Sequence, residues 1–145
     1  KKKMFGVFEH TLSNPKLPIF RGFDDLFFVP HSRHTEVRAE DIEKVDALQI
    51  IAISEEAGVT IVKAKSGKQL FITGHSEYSR NTIDTEYKRD KSKNLPIEIP
   101  RNYYPENIPE NAPLMRWKST ANLLFSNWLN YYVYQETPYN LEEIQ

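Results

Sequence analysis

The chain has 145 residues, enough for one domain with a substantial buried core. Its 19 lysines and arginines nearly balance its 20 aspartates and glutamates, which argues against a surface for nucleic acids or other polyanions. No apolar run approaches the roughly 20 residues of a membrane span. The absence of cysteine excludes disulfides and thiol chemistry supplied by this chain. We therefore expect a cytoplasmic globular protein that binds neither nucleic acid nor membrane.

The first third of the chain predicts two short buried strands. Residues 4–9 and 26–29 are apolar runs, and Pro30 is expected to end the second strand. The intervening segment, 11–24, is rich in turn-forming dipeptides and predicts a loop. The polar segment that follows Pro30 is then expected to form a loop lining a cleft.

Three β-rich runs follow at 48–53, 59–62 and 69–72, after a charged stretch that favours a short helix at 38–45. The segments between these runs have the length of hairpin turns. We therefore predict an antiparallel meander. It delivers the chain to the motif at 74–78, which reads Gly-His-Ser-Glu-Tyr.

The second half predicts two helices separated by a proline-rich segment. Residues 81–91 place Ile83 and Tyr87 on one helical face. Residues 94–113 contain five prolines and predict an extended segment that wraps the surface.

Residues 119–134 carry the clearest helical periodicity of the chain. The predicted buried side chains are Leu124, Phe125, Trp128 and Tyr132. Core packing is the simplest interpretation of this aromatic stripe. The polar tail from residue 136 predicts a frayed end.

His75 and Glu77 are the strongest candidates for chemistry. They lie two residues apart directly after a predicted strand and Gly74, and ligands of open α/β sheets bind at such strand ends. A carboxylate that holds an imidazole is the arrangement of a catalytic base. The alternative is a loop histidine beside a surface glutamate. Since the chain has no cysteine and no serine in a nucleophile motif, the pattern indicates a base without its nucleophile.

A metal site is the weaker interpretation of the other histidines. His31 and His34 form an H-x-x-H pair near Glu36, and only His10 or His75 could supply a further imidazole ligand. Because the spacing does not match a metalloprotease helix, polar loop residues lining a cleft are the favoured interpretation, and no metal is expected.

Lys3 and Arg89 are candidate anion-binding residues. Arginine binds a carboxylate through two parallel hydrogen bonds, whereas lysine supplies a point charge. Arg89 lies on the helix after His75 and Glu77, where it could face the same cleft. The alternative for both residues is a solvated surface charge.

Several long stretches together resemble the homoserine O-acyltransferases of methionine biosynthesis, which transfer acetyl or succinyl groups. The matching stretches are 3–10, 21–25, 28–36, 54–59, 74–78 and 122–135, among them Phe28-Val29-Pro30-His31-Ser32-Arg33-His34-Thr35-Glu36 and Gly74-His75-Ser76-Glu77-Tyr78. They are specific and span almost the whole chain. The resemblance implies an α/β fold of the class I glutamine-amidotransferase (flavodoxin-like) kind with an antiparallel extension.

The resemblance also implies a Cys-His-Glu triad that passes an acyl group from acyl-CoA to cysteine and then to the hydroxyl of L-homoserine. His75 resembles the general base and Glu77 the residue that orients it. Lys3 and Arg89 resemble substrate-binding residues, with Arg89 at the homoserine carboxylate, and Ser32 resembles a residue lining the acyl pocket. Acetyl-CoA or succinyl-CoA is the implied cosubstrate, and no other cofactor is implied.

The departure from the family is the missing nucleophile, which in the family lies upstream of the position of Lys3. We therefore expect residues 1–145 to form the C-terminal part of a single acyltransferase domain, with the acetyl donor favoured. Two alternatives stay open: one half of a glutamine amidotransferase, or a non-catalytic binding domain of the same fold. Homodimerisation also stays open.

Overall fold

The computed structural model describes residues 3–135, and the polar tail predicted from residue 136 lies outside them. The strands are Met4–Leu12 (β1), Leu26–Arg33 (β2), Leu48–Ser54 (β3), Gly58–Ala64 (β4) and Leu70–Ile72 (β5). The α-helices are Ala39–Glu43 (α1), Thr82–Ser92 (α2) and Lys118–Trp128 (α3). None of the helices within these residues has the length and hydropathy needed to cross a bilayer.

The five strands form one antiparallel sheet in the order β2-β1-β3-β4-β5. The predicted meander of β3, β4 and β5 is confirmed, and the α/β class is confirmed by the helices that flank the sheet. Within residues 3–135, parallel pairing is limited to an isolated bridge between Gly6 and Arg101. The sheet within residues 3–135 is therefore antiparallel, and the parallel flavodoxin-like sheet of the expected fold does not occur among these residues.

Strand β2 continues through Pro30 to Arg33, so the prediction that Pro30 ends the strand is wrong. The physical reason is its position, because β2 lies at the edge of the sheet, where a missing N–H removes no ladder hydrogen bond. Pro30 lies opposite Val7, and its carbonyl accepts a hydrogen bond from the N–H of His75, 2.8 Å away. His31 is consequently a strand residue and not a loop residue.

Each face of the sheet carries its own apolar cluster, because successive strand side chains point to opposite faces. On one face, Val29 of β2 packs with Phe20 and with Leu124 of α3. On the other face, Val7 of β1 packs with Ile83 of α2 and with Trp117. The sheet therefore fixes α2 and α3 on opposite sides.

The proline-rich segment, predicted to wrap the surface, lies along β1 at Arg101. The Val7 N–H donates to the Arg101 carbonyl, and the Arg101 N–H donates to the Phe5 carbonyl, at 2.9 and 3.0 Å. Gly6 makes this approach possible, because a Cβ at its φ of +142° would lie 2.3 Å from the Arg101 oxygen. Tyr103, within this segment, is completely buried and packs with Val7 of β1 and Ile83 of α2.

Helix α3 begins at Lys118 and runs into a π-helical turn, Leu129–Val133, and the two together cover the predicted helix 119–134 except for its last residue. Leu124 is buried as predicted, but Phe125 is 43% exposed, so its predicted burial is wrong. Trp128 and Tyr132 are only half-buried. The buried residues of α3 are Ala121, Leu124 and Asn127. The side-chain amide of Asn127 donates to the carbonyls of Ile19 and Arg21.

Candidate functional site

The segment that carries His75 links β4 to the edge strand β2, which shows that the sheet is curled. The Thr73 N–H donates to the Thr60 carbonyl on β4, and two residues later the His75 N–H donates to the Pro30 carbonyl on β2. Since two residues span at most about 7 Å, β2 and β4 must lie close together there, although β1 and β3 lie between them in the strand order. The backbone of His75 is thereby anchored to the edge of β2.

His75 and Glu77 are hydrogen-bonded, as the sequence predicts. Nδ1 of His75 lies 2.8 Å from Oε1 of Glu77. An Nδ1–H that donates to the carboxylate leaves the Nε2 lone pair free to accept a proton. The two side chains are 36% and 59% exposed, so the pair lies at the surface of this part of the chain and faces outward.

Tyr78 fixes the plane of the imidazole and was not singled out from the sequence. Its ring stacks on that of His75 at 4.3 Å between centroids and 8° between planes. The Trp117 indole N–H donates to the Tyr78 carbonyl and secures it to the core. Burial, with smaller contributions from the carboxylates of Glu86 and Glu77, raises the pKa of the Tyr78 hydroxyl above its usual value.

Glu86 is the second residue that sequence reasoning missed, and the three predicted substrate-binding residues converge on it. Lys3 Nζ lies 2.6 Å from Oε1 of Glu86, and the Ser32 hydroxyl donates to Oε2 at 2.8 Å. Arg89 lies 3.8 Å from the same carboxylate. Glu86 lies three residues before Arg89 on the same face of α2, and this spacing was the sequence signal that the two side chains interact.

Arg89 occupies the last turn of α2, where the sequence predicts it. It is hydrogen-bonded to Asp90, and this bond raises the pKa of the Arg89 guanidinium above its usual value. Arg89, Glu86 and Tyr78 line one open groove together with Thr82 and Thr85 of α2. Tyr78 therefore lies both against the His75 ring and in the groove of Glu86 and Arg89, where Glu86 is also bound by Lys3 and Ser32.

His31 does not line this groove, so the interpretation of it as a cleft-lining loop residue is wrong. It is completely buried beside His10, with 3.2 Å between their Nε2 atoms. Burial lowers the pKa of His10 to about 4 and that of His31 to about 3, so both rings are neutral. His34, by contrast, is exposed. Within residues 3–135, no group of three or more potential ligands is arranged to hold a metal ion.

Comparison with known proteins gives consistent similarities over the whole chain. A family model described as homoserine O-succinyltransferase matches residues 1–139. The chain is 64% identical over 144 residues to a homoserine O-acetyltransferase of Bacteroides fragilis (strain ATCC 25285), an alignment covering 99% of this chain and 47% of that protein. It is 62% identical over 142 residues to a homoserine O-acetyltransferase of Desulfitobacterium hafniense (strain Y51), covering 98% and 46%. The chain thus spans about half the length of the curated relatives it matches.

Among solved structures, the chain is similar to the crystal structure of SMU.1228c. The TM-score is 0.57 at 19% sequence identity, and the match covers 87% of this chain and 51% of that chain. At this level of identity the similarity concerns the fold alone.

Proposed function

Because the chain belongs to the homoserine O-succinyltransferase family, we propose that it supplies the basic half of an acyltransferase acting on L-homoserine and an acyl-CoA. Residues 1–145 would form the C-terminal part of one domain with the class I glutamine-amidotransferase-like fold. The remaining part would carry the nucleophilic cysteine. The observation that supports this role best is the His75–Glu77 pair, connected through Tyr78 to the Glu86 cluster.

The proposed reaction has two acyl-transfer steps. The cysteine thiolate attacks the acyl-CoA carbonyl, the CoA thiolate leaves, and an enzyme thioester remains. The homoserine hydroxyl then attacks this thioester while Nε2 of His75 takes its proton, and the cysteine thiolate leaves. Glu77 keeps the Nδ1–H of His75 engaged, which leaves Nε2 free as the base.

The groove along α2 has the charges that an amino-acid substrate requires. The Arg89 guanidinium can bind the α-carboxylate through two parallel hydrogen bonds, which a lysine could not do. The Glu86 carboxylate is the complementary group for the α-ammonium. Lys3 and Ser32 hold that carboxylate in place, and Ser32 would also border the acyl pocket.

We favour acetyl over succinyl as the transferred group, because the similar proteins of Bacteroides fragilis and Desulfitobacterium hafniense are named acetyltransferases. In this proposal the acyl-CoA is a cosubstrate, no metal or other cofactor takes part, and the reaction is the committed step of methionine biosynthesis in the cytoplasm.

A substrate comparison on the full-length protein tests the proposed function. Purified protein is incubated with L-homoserine and either acetyl-CoA or succinyl-CoA, and free CoA and the acylated product are measured. We expect O-acetylhomoserine to form faster than O-succinylhomoserine. Ammonia release from glutamine without acyl transfer would instead identify an amidotransferase, and the absence of both reactions would identify a non-catalytic domain.

A further inference from the structure

Gly74 packs so closely against buried side chains of β2 that a side chain at this position would overlap them. A Cβ built at this position would lie 2.4 Å from Cγ1 of Val29 and 3.0 and 3.1 Å from Cε1 and Nε2 of His31. Val29 and His31 are two residues apart, so both side chains point to the same face of β2. The backbone immediately before His75 therefore lies directly against the ring of a buried histidine.

His31 itself is held by a hydrogen-bond chain with one consistent direction. The Arg33 Nε–H points at Nδ1 of His31 at 3.4 Å, and the His31 Nε2–H can donate to Nε2 of His10 at 3.2 Å. The His10 Nδ1–H then donates to the Phe8 carbonyl at 2.9 Å. All four ring nitrogens of the pair are used, and the two rings stack at 5.2 Å. The imidazole beneath Gly74 is consequently fixed in position.

On the premise that His75 is the base of the proposed acyl transfer, we propose that Val29 and His31 are positioning residues that together set the place of His75 through Gly74. The contact acts on the backbone and needs no proton transfer between the two imidazoles. Its effect extends along the turn, because the Tyr78 N–H donates to the His75 carbonyl at 3.1 Å. A shift at Gly74 therefore displaces the stacked Tyr78 ring together with His75.

The size of the expected effect follows from the geometry that a base requires. A displacement of about 1 Å from the productive position can cost about 100-fold in rate. A methyl group at Gly74 must move the backbone by several tenths of an ångström or more, because the nearest atom of Val29 would be at 2.4 Å. Val29→Ala removes that atom and leaves the His31 contacts at 3.0 and 3.1 Å.

The first test is a rescue experiment on the full-length enzyme. We expect Gly74→Ala to lower kcat for acyl transfer at least about 10-fold while the homoserine KM stays within about twofold. Adding Val29→Ala should recover several-fold of the lost kcat, although Val29→Ala alone lowers Tm. Gly67→Ala is the matched control. Its φ of +82° makes the substitution costly, but nothing lies within 4 Å, so Tm should fall without a change in kcat.

The second variant addresses His31 directly. His31→Leu keeps an apolar side chain of similar size beneath Gly74 but removes the bonds to Arg33 and His10, so kcat should fall while the homoserine KM is retained. Normal kcat in both Gly74→Ala and His31→Leu, or an unrescued double variant, would overturn the positioning role.

A crystal structure of Gly74→Ala separates this role from the proposed function. We expect the distance between the His75 backbone nitrogen and the Pro30 carbonyl oxygen, 2.8 Å in the unsubstituted chain, to exceed 3.5 Å in the variant and to return in the double variant. An unchanged distance overturns the positioning role even if the enzyme proves to catalyse a different reaction. Full turnover of His75→Ala would overturn the proposed function instead.

Discussion

In the proposed reaction, Glu77 acts on His75 through both a hydrogen-bonding oxygen atom and a negative charge. Glu77→Gln keeps an oxygen within reach of Nδ1 but removes the charge that stabilises the imidazolium formed in the reaction. We therefore expect kcat to fall by about 100-fold or more, with KM values for both substrates within about twofold. Steady-state kinetics of the full-length enzyme measure this effect. An unchanged kcat would show that Glu77 is a surface residue without a role in the reaction.

Arg89 differs from an ordinary surface cation because its guanidinium shares the groove with Glu86. Arg89→Lys keeps the charge and loses the paired hydrogen-bond geometry. The homoserine KM should then rise about 10-fold, while the acyl-CoA KM changes less than about twofold. Arg80→Lys, a substitution of the same kind outside that groove, is the control. Equal effects on both KM values, or none, would contradict a carboxylate-binding role.

The burial of His10 and His31 predicts that the free energy of unfolding decreases as the pH falls. Burial lowers the pKa of His10 to about 4, against the hydrogen bond to the Phe8 carbonyl that raises it, and lowers the pKa of His31 to about 3. Arg33 lowers both pKa values, and His10 and His75 further lower that of His31. In the unfolded chain each imidazole titrates near 6.5. Between these values the unfolded state binds more protons, so the stability is fully present above about pH 6.5 and is lost as the pH falls toward 4 and 3.

Chemical denaturation at a series of pH values measures this loss. Each histidine should contribute a slope of about 1.4 kcal/mol per pH unit within the window. The double substitution His10→Phe and His31→Leu removes both titrating groups and should flatten the curve, whereas His34→Asn at the exposed neighbour should leave it unchanged. A double variant as acid-labile as the unsubstituted protein would show that other groups control the transition.

At the scale of elements, α3 gives a direct comparison of two adjacent apolar side chains. Leu124 is buried against the sheet and Phe125 is 43% exposed. In this 145-residue chain, Leu124→Ala should lower the free energy of unfolding by about 2–5 kcal/mol. Phe125→Ala should lower it by less than about 1 kcal/mol. Urea denaturation measures both losses, and equal losses would contradict the burial of α3 described above.

The elements predicted correctly are those specified by local patterns. Three β-rich runs with hairpin-length separators predict the β3–β5 meander, and the spacing of His75 and Glu77 after a strand predicts their hydrogen bond. Periodicity shows that α3 has an apolar stripe but does not show which side of the stripe meets the core, which is why Phe125 was misplaced. Similarly, Pro30 ends a strand only if that strand lies inside a sheet.

The features that the sequence could not supply depend on long-range contacts. Glu86 receives hydrogen bonds from Lys3 and Ser32, which are 83 and 54 residues away in the chain. The contact of Gly74 with His31 likewise requires the curl of the sheet. No periodicity or motif specifies these contacts, because they form only when the elements on the two faces of the sheet pack together.

For the whole molecule, the proposed function means that the catalytic groups are divided between this chain and the other part of the protein. This chain contains no cysteine and spans about half the length of its curated relatives. It would contribute the base, the orienting carboxylate and the charges of the substrate groove. The thioester would form on the other part of the full-length protein, against the exposed side of His75.

Homoserine acylation by the full-length protein with His75→Ala tests directly whether His75 is the general base of the reaction. The substitution removes the base and creates no core cavity, because the imidazole is 36% exposed. We expect acylhomoserine formation to fall by about 100-fold or more, with Tm unchanged within about 2 °C of the unsubstituted protein. His34→Ala, at an exposed histidine outside the groove, should keep full activity. Near-normal turnover by His75→Ala would contradict the assignment of His75 as the base.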